Sequence, residues 1–392
     1  MSTKSRKFLA VLLVGILAVS LIGGLATTVK AQEEEEEIFI GLSAHAVRNS
    51  WEDLYVKAFN WYCQDISEQR DDLNIRTTWT QAGYNASLQV TQARRLIDMG
   101  IDGLIISPWN VEALRTVMNY AEKKDVPVIT TNTIVNSSYP LMFVGYGARR
   151  GARQLGERIV EYLKTEVEPE GKVEGTVLEL SSGPGTSEDV IRGGGFHEAV
   201  DQYEGVKVVT KVAESMRNQA KTKTLNTLRG GAEVDAVFAQ NGSMGLGANA
   251  AFDTYSGVTP KDVFIATVDA FPDILEEIGK GNIDVGLDQP PAFYNPIAVH
   301  YMVKYLEEGE EALPDYGETI NAEDLEIRTG GQHLGVDPWA EAIWAPAKIE
   351  HMTEYSDQIT NDHKWFQTNA VFVTEENYDS PLLWGNFPLP GW

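Results

Sequence analysis

Polar side chains able to pair with hydroxyl groups recur in this chain directly after short apolar runs. Asn49 follows Ile38–Leu42, Ser107 and Trp109 follow Gly103–Ile106, and Asn132 follows Val126–Thr130. Farther on, Arg192 follows Thr176–Leu180, Asn241 follows Ala236–Ala239, Asp269 follows Val263–Val268, and Gln289 follows Val285–Leu287. Amides, a carboxylate and a guanidinium grip neighbouring hydroxyls in pairs. The flat rings of Trp51 and Trp109 lie in the same loops and suit the apolar C–H face of a cyclic polyol. Taken singly, each of these residues reads better as a helix cap or turn residue. The recurrence of the set is what points to a ligand. Arg192 is matched by Asp269 and no second cation stands at a strand end, so the expected ligand is neutral.

Other chemistries find little support. Gly183-Pro184-Gly185 precedes a helix but lacks the Lys-Ser or Lys-Thr of a phosphate-binding loop. His333, His351 and His363 share a region without metal-ligand spacing. There is no nucleophile elbow or H-E-x-x-H. A glycoside-cleaving enzyme needs paired carboxylates, and only Asp269 stands out at a strand end. No catalytic residue, metal or cofactor is expected, and the chain reads as a non-enzyme. A net charge of −25 repels phosphate backbones, so nucleic acid is not an expected partner. Cys63 is the only cysteine, which rules out an internal disulfide.

The elements that must hold these residues alternate. Trp51, Leu54, Tyr55, Ala58, Tyr62, Cys63 and Ile66 make one apolar helical face after the first strand. Asn85 can cap a helix ending at Met99, with Gly100 as its stop. Strand and helix then alternate through Val285–Leu287 in two successive runs. That pattern predicts an α/β chain with two lobes, each a parallel sheet with helices on both faces. With 392 residues, two domains are the natural division. In such sheets ligands bind at the carboxyl ends of the strands, where the polar set lies.

We place lobe 1 at 38–144 plus about 290–310, and lobe 2 at 145–289 plus about 370–392. Residues 311–369 form an insertion of uncertain placement, rich in tryptophan and without a period. Hinge segments are expected at Val144–Gly147, Asp288–Pro290 and Asn369–Val371. At the N-terminus, Lys4, Arg6 and Lys7 precede the uncharged run Phe8–Leu25, and Val29-Lys30-Ala31 suits a cleavage site. Residues 1–31 therefore read as a secretory signal peptide, with an uncleaved membrane anchor as the competing reading. Residues 32–37 read as an acidic tether.

A resemblance sharpens these expectations. Ala236–Ala248, AVFAQNGSMGLGA, resembles the A-V-F-A-Q-N-D-x-M-A-L-G-A signature of the ribose-type periplasmic sugar-binding proteins. Gly185–Phe196, GTSEDVIRGGGF, is similar to that family's G-T-S-x-x-x-x-R-x-x-G-F. Asp262–Ala270 resembles its strand ending in a ligand aspartate, and Phe372–Asn377 its V-T-x-E-N close. The likeness covers about residues 38–308 and 369–380. It implies the type I periplasmic-binding fold, two Rossmann-like lobes joined by a multi-strand hinge. Matched by position, Asn49 and Trp51 would be first-loop contacts and Arg192 a clamp on ring oxygens. Asn241, Asp269 and Gln289 would be hydrogen-bonding partners in the second lobe.

The chain departs from the family where ribose binders carry Asp-Arg, here Asn132-Thr133, and where Gly242 replaces an aspartate. An aromatic residue expected before Arg217 is also missing. These departures speak against ribose itself. The resemblance implies a monomeric, exported protein at the periplasm or cell surface. It would capture a sugar or polyol by hinge closure and deliver it to an ABC transporter permease. The rival readings are a sugar sensor presenting ligand to a membrane receptor and a secreted carbohydrate-acting enzyme. A transcription regulator would need a helix-turn-helix and a basic surface in place of the N-terminal leader and strong acidity.

Overall fold

The computed structural model describes residues 36–167, 172–289, 291–325, 343–356 and 359–387. Residues 1–31, read by sequence as a signal peptide, lie outside them, as do Pro290, His333 and Trp339. Two sheets organise the chain.

The first lobe runs β1 (Glu36–Ala44), α1 (Ser50–Gln69), β2 (Leu73–Gln81), α2 (Ala86–Asp98), β3 (Gly103–Ile106), α3 (Arg115–Lys123), β4 (Val128–Thr131) and β5 (Met142–Tyr146). Asn85 caps α2 by accepting from the Leu88 backbone N–H at 2.9 Å. Gly100 closes that helix at φ 81°, a left-handed conformation that glycine adopts without strain. Strands β3 and β4 are buried at every residue, as expected for parallel strands covered on both faces.

The chain crosses to the second lobe after β5. There it forms α4 (Ala148–Tyr162), β6 (Gly175–Ser181), α5 (Gly194–Val200), β7 (Val206–Val212), α6 (Arg217–Arg229), β8 (Ala236–Ala239), α7 (Gly242–Phe252), β9 (Phe264–Val268), α8 (Pro272–Gly279) and β10 (Val285–Asp288). It returns past Gln289 into α9 (Pro291–Glu308), which packs on α1.

The described parts of residues 311–369, left without a sheet by sequence, add strands to the lobe 1 sheet. β11 (Thr319–Ile320), β12 (Ala347–His351) and β13 (Lys364–Thr368) give an eight-stranded order β11-β12-β13-β5-β4-β3-β1-β2. β13 runs parallel to β5, while β11 and β12 are antiparallel. Trp344 and Trp365 in this stretch are buried, and Trp365 Nε1 donates to the Gly145 carbonyl at 2.8 Å. A last crossing at Asn369–Ala370 leads to β14 (Val371–Val373), antiparallel to β10 in the six-stranded order β14-β10-β9-β8-β6-β7. Both sheets are therefore mixed at one edge and not wholly parallel.

Glu36 and Glu37, read by sequence as part of an acidic tether, lie in β1. Glu36 and Glu37 already pair with Leu73 and Asn74 of β2, and Glu37 meets Arg76 at 3.1 Å.

Candidate functional site

The carboxyl ends of both sheets face one another across a narrow, polar pocket. Asn49, Trp51 and Asn132 reach it from lobe 1; Arg192, Asn241, Asp269 and Gln289 reach it from lobe 2.

Asn49 and Asn241 serve two purposes. Each is a helix N-cap whose Oδ1 accepts a backbone N–H, from Glu52 at 2.9 Å and from Met244 at 3.0 Å. An amide has a second end, so capping by Oδ1 leaves Nδ2 to donate into the pocket. Asn132 and Asp269 leave their strands with φ of 62° and 76°, which turns both side chains sharply off the sheet. Trp51 spends its indole N–H on the Gln289 carbonyl at 2.8 Å and presents only its ring. Gln289 Nε2 in turn donates to Asp269 Oδ1 at 2.5 Å, and the Gly242 N–H donates to Oδ2 at 3.3 Å.

Gly242, where the family signature has aspartate, is explained by its neighbour. A Cβ there would lie 2.5 Å from Phe271 Cε1.

Two expected contacts stand elsewhere. Ser107 is buried behind the pocket, its hydroxyl 2.8 Å from His45 Nδ1 and 2.8 Å from Thr133 Oγ1. Trp109 lines a second depression at the cleft mouth with Arg48, Tyr84, Pro184 and Met216. It packs there at 4.8 Å from the Tyr84 ring and 5.7 Å from the His45 ring.

Three lining residues escaped the sequence reading: His45, Glu52 and Glu188. His45 lay inside a loop already singled out. Glu52 and Glu188 sit in helical turns just past such loops, where an acid reads as helix-dipole or capping chemistry. Glu52 Oε2 does accept the Arg48 N–H, and Oε1 accepts the Tyr84 hydroxyl. Glu188 Oε2 accepts the Ser182 and Ser215 hydroxyls, and Oε1 lies 3.3 Å from Arg192 Nη1.

Arg192 is 2% exposed and also donates to the Gln240 carbonyl at 2.7 Å. Burial opposes its charge, but Tyr146, Glu188 and Asp269 outweigh that and hold its pKa above the usual range. Burial raises the Asp269 carboxyl, with Arg192 and Gln289 pulling it back. The Tyr84 hydroxyl is pushed well up by burial and then by Glu52, Glu188 and Asp269.

The lobes are clasped across the cleft. Ser187 N–H donates to the Trp109 carbonyl at 3.0 Å, Ile134 N–H to Ser187 Oγ at 2.8 Å, and Asn110 Nδ2 to the Gly185 carbonyl at 2.7 Å.

Two lobes, each built on one sheet, with a polar pocket between them have counterparts among known proteins. The model of the periplasmic binding protein domain matches residues 40–311. The chain belongs to this family. The ribose import binding protein of Bacillus subtilis is 28% identical over 265 residues, 67% of this chain and 80% of that protein. A xylitol-binding protein of Mycolicibacterium smegmatis is 28% identical over 211 residues, 53% of this chain and 57% of that protein. Among solved structures, an ABC transporter solute-binding protein from Bacillus halodurans with bound myo-inositol superposes with a TM-score of 0.61 at 21% identity. That match covers 71% of this chain and 91% of the other. In this periplasmic binding protein the stretch beyond the family match holds β11–β13, which widen the lobe 1 sheet.

Proposed function

We propose that this periplasmic binding protein captures a monosaccharide or polyol outside the membrane, closes its two lobes on it, and delivers the closed form to an ABC transporter permease. The observation that carries the reading is the convergence of Asn49, Trp51 and Asn132 with Arg192, Asn241, Asp269 and Gln289 in one pocket. They follow the ends of six strands, β1, β4, β6, β8, β9 and β10, and together they offer a ring face and several paired donors and acceptors. The relatives named for ribose and xylitol support the ligand class.

Binding without chemistry is part of the proposal. Glu52, Glu188 and Asp269 bring paired carboxylates to the pocket, the feature an enzyme acting on glycosides would need. Here all their oxygens are engaged by donors of the protein itself. They are held as fixed acceptors and not poised to exchange protons with a substrate.

A thermal-shift screen of monosaccharides, polyols and amino acids tests the reading. The expected outcome is stabilisation by members of the first two classes, with the bound compound recovered unchanged after prolonged incubation. Stabilisation by amino acids alone, or conversion of the compound, would contradict it.

A further inference from the structure

The pocket carries more negative charge than a neutral ligand needs. Arg192 is the only Lys or Arg among the described residues lining it, against Glu52, Glu188 and Asp269. These three are 3%, 6% and 6% exposed, so water does little to screen them. Each of the six oxygens receives a hydrogen bond from an N–H or O–H of the protein. His45 Nε2 stands 3.7 Å from Glu52 Oε1, and even a protonated His45 leaves one carboxylate without a cation. Carrying an unmatched buried charge is costly, and a ligand that supplies the missing cation removes the cost.

A second feature concerns Asn132. It is 4% exposed and lines the same pocket, and its Oδ1 is buried without a hydrogen-bond partner. That is an acceptor waiting for a donor.

Resting on the polyol reading above, we propose that the preferred ligand is a cationic amino sugar or amino polyol. Its protonated amine sits among Glu52, Glu188 and Asp269, and the ligand donates a hydrogen bond to Asn132 Oδ1. An ammonium group brings one positive charge and three N–H donors, which suits a site rich in acceptors. The ring of Trp51 adds an aromatic face of the kind that attracts cations. The expectation of a neutral ligand rested on matching Arg192 with Asp269 alone. Glu52 and Glu188 overturn that balance.

Matched pairs test this on the full mature chain: myo-inositol against an inosamine, glucose against glucosamine, and xylitol against its 1-amino-1-deoxy analogue, by calorimetric titration at pH 7. The amine of at least one pair should bind at least tenfold tighter than its hydroxyl partner. Glu188→Gln and Glu52→Gln, checked for folding by circular dichroism, should each shrink that preference. If the hydroxyl partners bind as tightly as the amines or tighter, the charge inference fails while the polyol reading stands. If neither member of any pair binds, both fail. An amine preference unchanged in both folded variants would also overturn the placement of the amine.

Discussion

The Trp51 indole N–H donates to the Gln289 carbonyl at 2.8 Å, and the Gln289 side chain donates to Asp269 at 2.5 Å. A helix of lobe 1 is thus tied, through the residue where the chain crosses between lobes, to a carboxylate of lobe 2. Trp51→Phe keeps an aromatic ring but removes the donor together with the pyrrole half of the indole. A net hydrogen bond is worth about 0.5–1.5 kcal/mol, so affinity should fall by roughly 2- to 13-fold. Calorimetric titration reads this. An unchanged affinity would mean that the tie is not coupled to closure.

Arg192→Ala and Asp269→Ala should each weaken ligand binding by at least about tenfold, since 1.4 kcal/mol is one decade and a charged hydrogen bond is worth about 1.5–3 kcal/mol. The two variants should differ in stability. Arg192 is buried against Glu188, and removing one partner of a buried pair costs about 3–5 kcal/mol. Arg192→Ala should therefore melt well below wild type without ligand. Asp269→Ala removes the acceptor of the Gln289 amide and the Gly242 N–H but also a like-charge neighbour of Glu188, and should melt closer to wild type than Arg192→Ala does. Thermal denaturation alongside titration separates the two effects.

Much of this site was legible because strand ends in α/β sheets are marked by abrupt changes from apolar runs to polar residues. Asn49, Asn241 and Asp269 stand at such junctions, and the motif around Asn241 is specific. Glu52 and Glu188 were not legible as pocket residues, because an acid in a first helical turn has a sufficient local reason to be there. Trp109 keeps the loop position the sequence gives it, and packing against His45 and Tyr84 turns it to the mouth. Strands β11–β13 escaped for a different reason. Thr319–Ile320 is two residues long, and β13 is interior to the sheet only because β12 and β5 flank it, so no alternation marks it.

The pair formed by His197 and Glu179 makes a pH prediction away from the pocket. Their separation is 3.1 Å, and His197 Nδ1 also meets Asp201 at 2.9 Å. The bond to Glu179 is the largest influence and lifts the imidazole from 6.5 to about 9. Burial raises Glu179, but bonds from His197, Thr210 and Gln240 outweigh it and hold the carboxyl below its ordinary range. A folded pKa above the unfolded value contributes stability that is complete below about pH 6.5 and is lost as pH rises through about 9. The melting temperature of wild type should fall more between pH 7 and 10 than that of His197→Gln. Parallel profiles would contradict the assignment.

Restoring the family aspartate at Gly242 should be harmful here. A side chain at this position meets Phe271, and overpacking of this kind costs about 1–3 kcal/mol. Gly242→Asp should lower the melting temperature, and Phe271→Ala in the same chain should recover part of the loss. If Gly242→Asp is as stable as wild type, the Phe271 ring is not what excludes the aspartate.

Small-angle X-ray scattering with and without the tightest binder from the thermal-shift screen tests the capture of a sugar or polyol between two closing lobes most directly. Ser187, Asn110 and Ile134 clasp the lobes in the structure described. The expected result is a smaller radius of gyration at saturating ligand, with a profile matching the clasped arrangement. An identical profile with and without ligand, while titration shows the ligand bound, would contradict closure as the mode of capture.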